Sequence, residues 1–320
     1  MLVSVAIPVR DGGAVLVDAL EAVRRQALRE GVEVELVVCD SGSRDGSRAA
    51  ARARGAEVIE IAPREFSHGG TRNLLMQRTG GEVVAFLTQD AVPAGEHWLA
   101  RLLAGFAAAD AVGLVFGPYI PRADASAMVR RELEAWFRSL SPDGSVRVDR
   151  LAPSERAAPP RALYGARGYF TDANGAVARA AWERVPFRPV AYAEDHALAH
   201  DVLQAGFAKV FAPDAAVIHS HDYGAWEWTR RSFDEARAVR ELYELEDLGD
   251  VRRLARSARG SVGADLRYAG GLRAAGIGGV ELLVRSLGHH GARALGTALG
   301  ARAERLSPAI VEHLSLEGRR

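Results

Sequence analysis

Hydrophobic positions in the first 120 residues switch between two periods. Short runs at Leu2–Ile7, Val34–Cys39, Glu57–Ile61, Glu82–Leu87 and Ala111–Phe116 have the length and branched side chains of strands. Proline has no N–H, so Pro8 is expected to stop the first. Helical spacing fills the gaps. Ala14–Leu28 carries Val15, Leu16, Ala19, Leu20, Val23 and Ala27 on one face, followed by helices over Asp45–Arg54, Gly70–Arg78 and Glu96–Ala107. Ser43 is placed to cap the second of these. Alternating strands and helices predict a mostly parallel sheet covered by helices. Such sheets bind ligands beyond the carboxyl ends of their strands. Polar clusters stand there: Pro8-Val9-Arg10-Asp11, Asp40-Ser41-Gly42-Ser43 and Thr88-Gln89-Asp90.

The pattern loosens after residue 120. Ala127–Leu140 predicts a helix, and the Pro-, Ser- and Arg-rich stretch to Pro160 reads as an insertion or mobile loop. Short strands and helices resume over 167–220 and end in Ala215-Ala216-Val217-Ile218. From Trp226 the pattern is helical, with breaks expected at Gly249, Gly260, Gly270-Gly271, Gly278-Gly279 and Gly291. The expected organisation is a catalytic domain over 1–224, in halves of about 1–120 and 121–224, and a helical region over 225–320.

Composition narrows the class. At 48% hydrophobic and 26% charged, the chain of 320 residues is neither disordered nor fibrous. Its single cysteine, Cys39, excludes a disulfide scaffold and a cysteine zinc cluster. The first residues read as a strand rather than a leader. No apolar run reaches the roughly 18 residues a bilayer requires. A cytoplasmic protein without a nucleic-acid partner is expected. The 41 basic residues, all arginine but Lys209, balance 41 acidic ones. That zero is a sum of unlike parts: residues 251–320 carry 12 arginines against 5 acids, and 1–250 the compensating acidic excess.

Five segments can carry chemistry. Asp40 ends a buried strand before a turn and helix, where its carboxylate can accept from a pyrimidine N3–H and the turn can offer N–H groups. The same pattern also fits an ordinary strand–turn–helix. Asp90 can hold a divalent cation against a diphosphate, or simply cap the turn before Pro93. Phe66-Ser67-His68-Gly69-Gly70-Thr71-Arg72-Asn73 pairs a close-approach glycine loop with a phosphate-suited arginine in a first helical turn. Glu194-Asp195-His196 opens a helix, where one carboxylate can be a general base or both can serve the helix dipole. His219-Ser220-His221 follows an apolar strand, and the spacing places both imidazoles on one strand face, as metal ligands or phosphate donors.

In this order the segments resemble the family 2 glycosyltransferases, through Ala6-Ile7-Pro8-Val9-Arg10, Asp40 to Gly46, Phe86-Leu87-Thr88-Gln89-Asp90-Ala91 and Glu194-Asp195. Phe66–Asn73, Thr88–Ala91 and His219-Ser220-His221 are most similar to the bacterial rhamnosyltransferase branch. The resemblance covers about residues 1–240 and implies a GT-A (Rossmann-like) fold, with helices on both faces of the sheet and a helical C-terminal region. It implies that Asp40 binds the base, with Pro8, Arg10, Ser41 and Gln89 around it. Arg72 and Asn73 would lie by the base or diphosphate, and Asn174 would shape the donor-sugar and acceptor side. Asp90 would coordinate Mg2+ or Mn2+, with His219 and His221 as further ligands, and Asp195 would be the catalytic base beside Glu194. Thr88 replaces the first Asp of the family's Asp-x-Asp element, and Gly117-Pro118-Tyr119-Ile120-Pro121 stands where the branch has an Arg-Gln pair.

The implied reaction is inverting transfer of L-rhamnose from dTDP-rhamnose to a saccharide or lipid-linked acceptor in cell-surface polysaccharide synthesis. A UDP-sugar donor is the alternative. A sugar-nucleotide-forming nucleotidyltransferase is a further one, although Pro8-Val9-Arg10-Asp11 lacks its Gly-rich loop. The tail, with Arg252, Arg253, Arg256 and Arg259 ahead of Leu266, Leu272, Ile277, Val280, Leu282, Leu283 and Val284, suits either packing on protein or peripheral contact with the inner membrane face. A homo-oligomer is left open.

Overall fold

The computed structural model describes residues 1–157, 160–271 and 279–317. They divide into two compact units. The first comprises residues 1–122, 136–190 and 194–219, and the second residues 123–135, 191–193 and 220–320.

The strands are β1 (Leu2–Val9), β2 (Glu33–Asp40), β3 (Glu57–Glu60), β4 (Val83–Leu87), β5 (Val92–Pro93), β6 (Val112–Phe116), β7 (Tyr119–Ile120), β8 (Arg147–Asp149), β9 (Asn174–Ala178), β10 (Ala208–Phe211) and β11 (Val217–Ile218). Eight form one sheet in the order β3-β2-β1-β4-β9-β6-β10-β8. Its β1–β2, β2–β3, β1–β4 and β6–β10 pairs are parallel, and β9 and β8 run antiparallel to their neighbours. A small sheet, β5-β11-β7, lies apart from it. The helices of this unit are α1 (Gly13–Arg24), α2 (Ser47–Ala53), α3 (His68–Arg78), α4 (Trp98–Gly105), the end of α5 (Ala127–Leu140), α6 (Arg179–Arg184) and α7 (Glu194–Gln204). Val5, Ile7, Leu16, Leu20, Val38, Leu87, Trp98, Leu102 and Val115 are among the residues of its continuous core.

The strand–helix alternation stands as the periodicity predicts, with local corrections. Pro8 does not stop β1, which continues to Val9. Pairing with β4 ends at Ala6, so Pro8 lies where one side of the ladder is open. Helix α1 ends at Arg24 rather than Leu28. Ser43 caps no helix: α2 starts at Ser47 after Gly46, whose φ of 89° is left-handed. The Ser43 hydroxyl instead accepts the Asp11 N–H, and Asp45 accepts the Ser47 N–H in its place.

The second unit holds α8 (Ala225–Tyr243), α9 (Val251–Gly271), α10 (Gly279–Gly300) and α11 (Pro308–Leu314), with most of α5. The break expected at Gly249 falls between α8 and α9, and the ends near Gly270 and Gly279 match. Gly260 and Gly291 break nothing; they lie inside α9 and α10. An interior glycine costs about 1 kcal/mol, which helix packing offsets. Gly296 and Gly300 allow that packing, because a Cβ on either would fall 2.1 or 2.2 Å from the Thr229 or Phe233 carbonyl oxygen of α8. Leu272 and Ile277 lie outside the described residues.

A buried polar network crosses this helical unit. Asp265 on α9 pairs with Arg131 on α5 and accepts from Ser286 at 2.6 Å and His290 at 2.7 Å on α10. Glu132 faces His289 at 3.2 Å and pairs with Arg293. Two guanidiniums thus face two carboxylates. The Glu132, His289 and His290 donor atoms lie within reach of one ion, but Arg293 already occupies the carboxylate.

Candidate active site

Parallel pairing aligns the carboxyl ends of β1, β2 and β4 on one sheet edge, so their following loops meet. The loop after β1 is laced to the loop after β2. Asp11, a non-glycine residue at φ 51°, donates its N–H to Ser43 and accepts the Arg44 N–H at 2.7 Å. Gly12 and Gly13 donate to Ser47 and Asp45. Arg10 donates its N–H to the Gln89 side chain at 2.7 Å, joining the loop after β4. The Arg10 side chain is exposed, Pro8 half-buried, and Ser41 buried with its N–H and hydroxyl both on the Val9 carbonyl.

Asp40, at the last position of β2, is 1% exposed. Its Oδ1 accepts the Gly42 and Ser43 N–H groups at 3.0 Å each, which fixes the carboxylate plane. Its Oδ2 is buried with no hydrogen-bond partner among the described residues. A buried carboxylate oxygen without a donor is costly, so this atom is a standing acceptor.

A second group of charges lies where α3 meets the start of α7. Arg72 is 3% exposed. It forms a two-pronged ion pair with Asp172, donates to Glu194 at 3.0 Å and to the His68 carbonyl at 3.0 Å. Asp172 arrives because β9 starts beside the end of β4, Asn174 opposite Leu87. Asp195 follows Glu194, and its carboxylate accepts the His196 N–H at 2.8 Å. Burial, reinforced by the Glu194 charge, pushes the Asp195 pKa up to about 7. Its carboxyl therefore exchanges a proton near neutrality, as a general base must.

Three residues expected beside the ligand have partners within the fold. The Arg72 guanidinium is held by Asp172, Glu194 and the His68 carbonyl. Asn73 is also consumed within the fold, donating to the Phe187 carbonyl and accepting from Phe187 N–H and Trp182 Nε1. Asn174, fully buried, accepts from Trp98 Nε1 at 2.7 Å and donates to the Pro118 and Ala215 carbonyls. It ties strand ends together and has no donor left for a sugar.

Asp90 sits just beyond β4, and His219 just beyond β11. The His219 Nδ1 lies 3.5 Å from an Asp90 carboxylate oxygen. Arg122 donates to the Asp90 carbonyl. Tyr119 packs its ring edge on His219 at 4.9 Å between centroids and hydrogen-bonds Thr171. Burial holds the Tyr119 phenol protonated, well above its ordinary range. The strand ends at Ile218, so the two histidines do not share a strand face. His221 belongs to the second unit, where its ring stacks on Tyr223. Asp172, Tyr119 and Arg122 contact the candidate residues Arg72, His219 and Asp90 and were not singled out from sequence. For Asp172 the signal was present, two positions before Asn174 in Thr171-Asp172-Ala173-Asn174.

The model of the family described as glycosyl transferase family 2 matches residues 4–163, half of the chain. The chain belongs to that family. This glycosyltransferase is similar to the O-antigen chain rhamnosyltransferase RfbN of Salmonella typhimurium, 28% identical over 239 residues, covering 73% of this chain and 71% of that protein. It is 29% identical to the O-antigen chain rhamnosyltransferase WbaN of Salmonella anatum, covering 62% of this chain and 61% of that one. Among solved structures, the mannosyltransferase PcManGT from Pyrobaculum calidifontis, in complex with GDP-Man and Mn2+, aligns with a TM-score of 0.53 at 18% identity, over 99% of this chain and 85% of that one. TarS 1–349 of S. aureus aligns at 0.52 and 13%, over 95% and 91% of the two chains. These last likenesses carry the fold alone, a GT-A fold with a helical C-terminal region.

Proposed function

We propose that this glycosyltransferase moves L-rhamnose from dTDP-rhamnose, with inversion, to a saccharide or lipid-linked acceptor in surface-polysaccharide synthesis. One observation carries the chemistry: a carboxyl group, Asp195, held near pKa 7 by burial and the Glu194 charge. The rhamnosyltransferase relatives support the sugar.

Asp40 Oδ2 accepts the pyrimidine N3–H, while Oδ1 stays on the turn. Pro8, Arg10, Ser41 and Gln89 frame that pocket. Asp195 takes the acceptor hydroxyl proton as the oxygen bonds to the anomeric carbon, and the bond from that carbon to the diphosphate oxygen breaks on the opposite face. Arg72 acts through others: it holds Glu194 and Asp172 in place and thereby sets the charge around Asp195.

The Asp90 carboxylate and His219 imidazole form a mixed oxygen–nitrogen donor pair that fits Mn2+ or Mg2+, with Mn2+ better suited to the imidazole. His221, two positions along the chain, is the candidate third ligand. When bound, the cation would offset charge on the leaving diphosphate.

The test is turnover of the purified chain with dTDP-rhamnose and a panel of UDP-hexoses, with Mn2+ or Mg2+ present and a lipid-linked saccharide as acceptor. dTDP-rhamnose should be the preferred donor. Turnover confined to a UDP-sugar would replace the donor while leaving Asp195 in its role, and full activity of Asp195→Asn would remove that role.

A further inference from the structure

The helical unit carries an unpartnered face that the transfer reaction does not use. On α10, Val280, Leu283, Val284, Leu287 and Leu295 are exposed, Val280 at 78% and Val284 at 63%. Their spacing of three and four places them in one stripe. On α9, Arg252, Arg256, Arg259, Leu266 and Arg267 are exposed.

The two faces adjoin. Asp265 of α9 contacts Ser286 and His290 of α10, while Arg131 and Tyr268–Glu134 fix α5 on the other flank of α9. At 100° per residue, Leu266, Arg259 and Arg252 fall on the α10 flank of α9. The His290 side of α10 faces α9, the His289 side meets Trp228 of α8, and the apolar stripe lies beyond His290, on the α9 side.

The charge on this face has one sign. Arg253 pairs with Asp247, and Arg285 with Glu281. Among the described residues Arg252, Arg256, Arg259 and Arg267 have no carboxylate partner. The acids of α9 and α10 are Asp265, buried, and Glu281, already paired.

We propose that this α9–α10 face docks on an anionic lipid surface. Apolar side chains enter the headgroup boundary, and the four arginines meet lipid phosphates. A second copy of the chain fits less well, because a two-fold interface would set unpaired arginines against their own kind. Among the described residues no helix is long and apolar enough to cross a membrane, so the face lies on the bilayer.

The test is sedimentation of the full chain with vesicles of equimolar phosphatidylcholine and phosphatidylglycerol, against phosphatidylcholine alone. Binding should require the anionic lipid and weaken with salt. Replacing Arg252, Arg256, Arg259 and Arg267 together by Gln should lower partitioning about 100-fold or more. Val284→Gln with Leu287→Gln should lower it about tenfold or more. Both variants should keep the wild-type melting curve and wild-type turnover on a soluble acceptor. The proposal is overturned if the full chain stays in the supernatant with anionic vesicles, or if the arginine variant binds them as wild type does. Concentration-dependent dimerisation lost in the Val284/Leu287 variant, without vesicle binding, would assign the face to a second copy.

Discussion

Both units of this glycosyltransferase bury clusters of carboxylates and arginines, yet the clusters differ in charge ratio. In the sheet unit, Arg72 is the one arginine among the described residues that faces Asp172, Glu194 and Asp195, with the His68 imidazole 3.8 Å from Glu194. In the helical unit, Arg131 and Arg293 match Asp265 and Glu132. Burial, reinforced by the Glu194 charge, raises Asp195 to about 7, whereas hydrogen-bond donors pull Asp265 down to about 2 despite its burial. The Asp265 drop comes from its hydrogen bonds to His290, Ser286 and Arg131. The same residue types thus yield an exchangeable proton in one place and a fixed charge in the other. Burial beside a second carboxylate makes the one, and burial among hydrogen-bond donors the other.

The hardest test of this comparison is to remove the Arg72 guanidinium. Arg72→Met leaves Asp172 and Glu194 buried without their partner and should cost about 3–5 kcal/mol in urea unfolding, with transfer lost as well. Asp195→Asn should cut turnover about 1,000-fold, with dTDP binding unchanged in calorimetry. The sign on stability is opposite to that of Arg72→Met. A carboxyl raised to about 7 stabilises the fold fully below its unfolded value of 3.8 and loses that contribution as pH rises through 7. Asp195→Asn should therefore melt higher than wild type at pH 8. A lower melting temperature would mean that Asp195 is structural.

Asp265→Asn breaks the balanced cluster and should cost about 3 kcal/mol at neutral pH, with turnover per folded molecule unchanged. The Asp265 contribution is present above the unfolded value of 3.8 and is lost as pH falls through about 2, so the variant should flatten acid unfolding in that window. The smallest effect is the wild-type pH profile. With the proposed base active when ionised, kcat/KM should fall about tenfold per pH unit below the limb set by the Asp195 pKa of about 7 and level off above it. A limb near an ordinary carboxylate value would contradict the crowding of charge around Arg72.

Much of the fold was legible along the chain. Apolar period alone located β1 to β4 and β6 to within two residues at each end, and α5 at Ala127–Leu140; the short β5 was not anticipated. Where reading failed, the cause was a long-range partner. Ser43 looked like a cap because helix starts favour serine, but Asp11 claims its hydroxyl from the neighbouring strand's loop. Arg72 and Asn73 looked like ligand contacts because they open a helix after glycines. Asp172, 100 positions away, and Phe187 claim them instead.

The sequence by itself determined the order of strands and helices and which residues stand at strand ends, among them Asp40 and Asp90. Those features follow from local periodicity and turn chemistry, which short windows contain. Tertiary structure decided the partnership of charges. It needed β9 to enter antiparallel between β4 and β6, bringing Asp172 to Arg72 and leaving Asp195 with more negative than positive neighbours. A pKa depends on burial and on charges within a few ångströms, and such distances exist only after the chain has closed on itself.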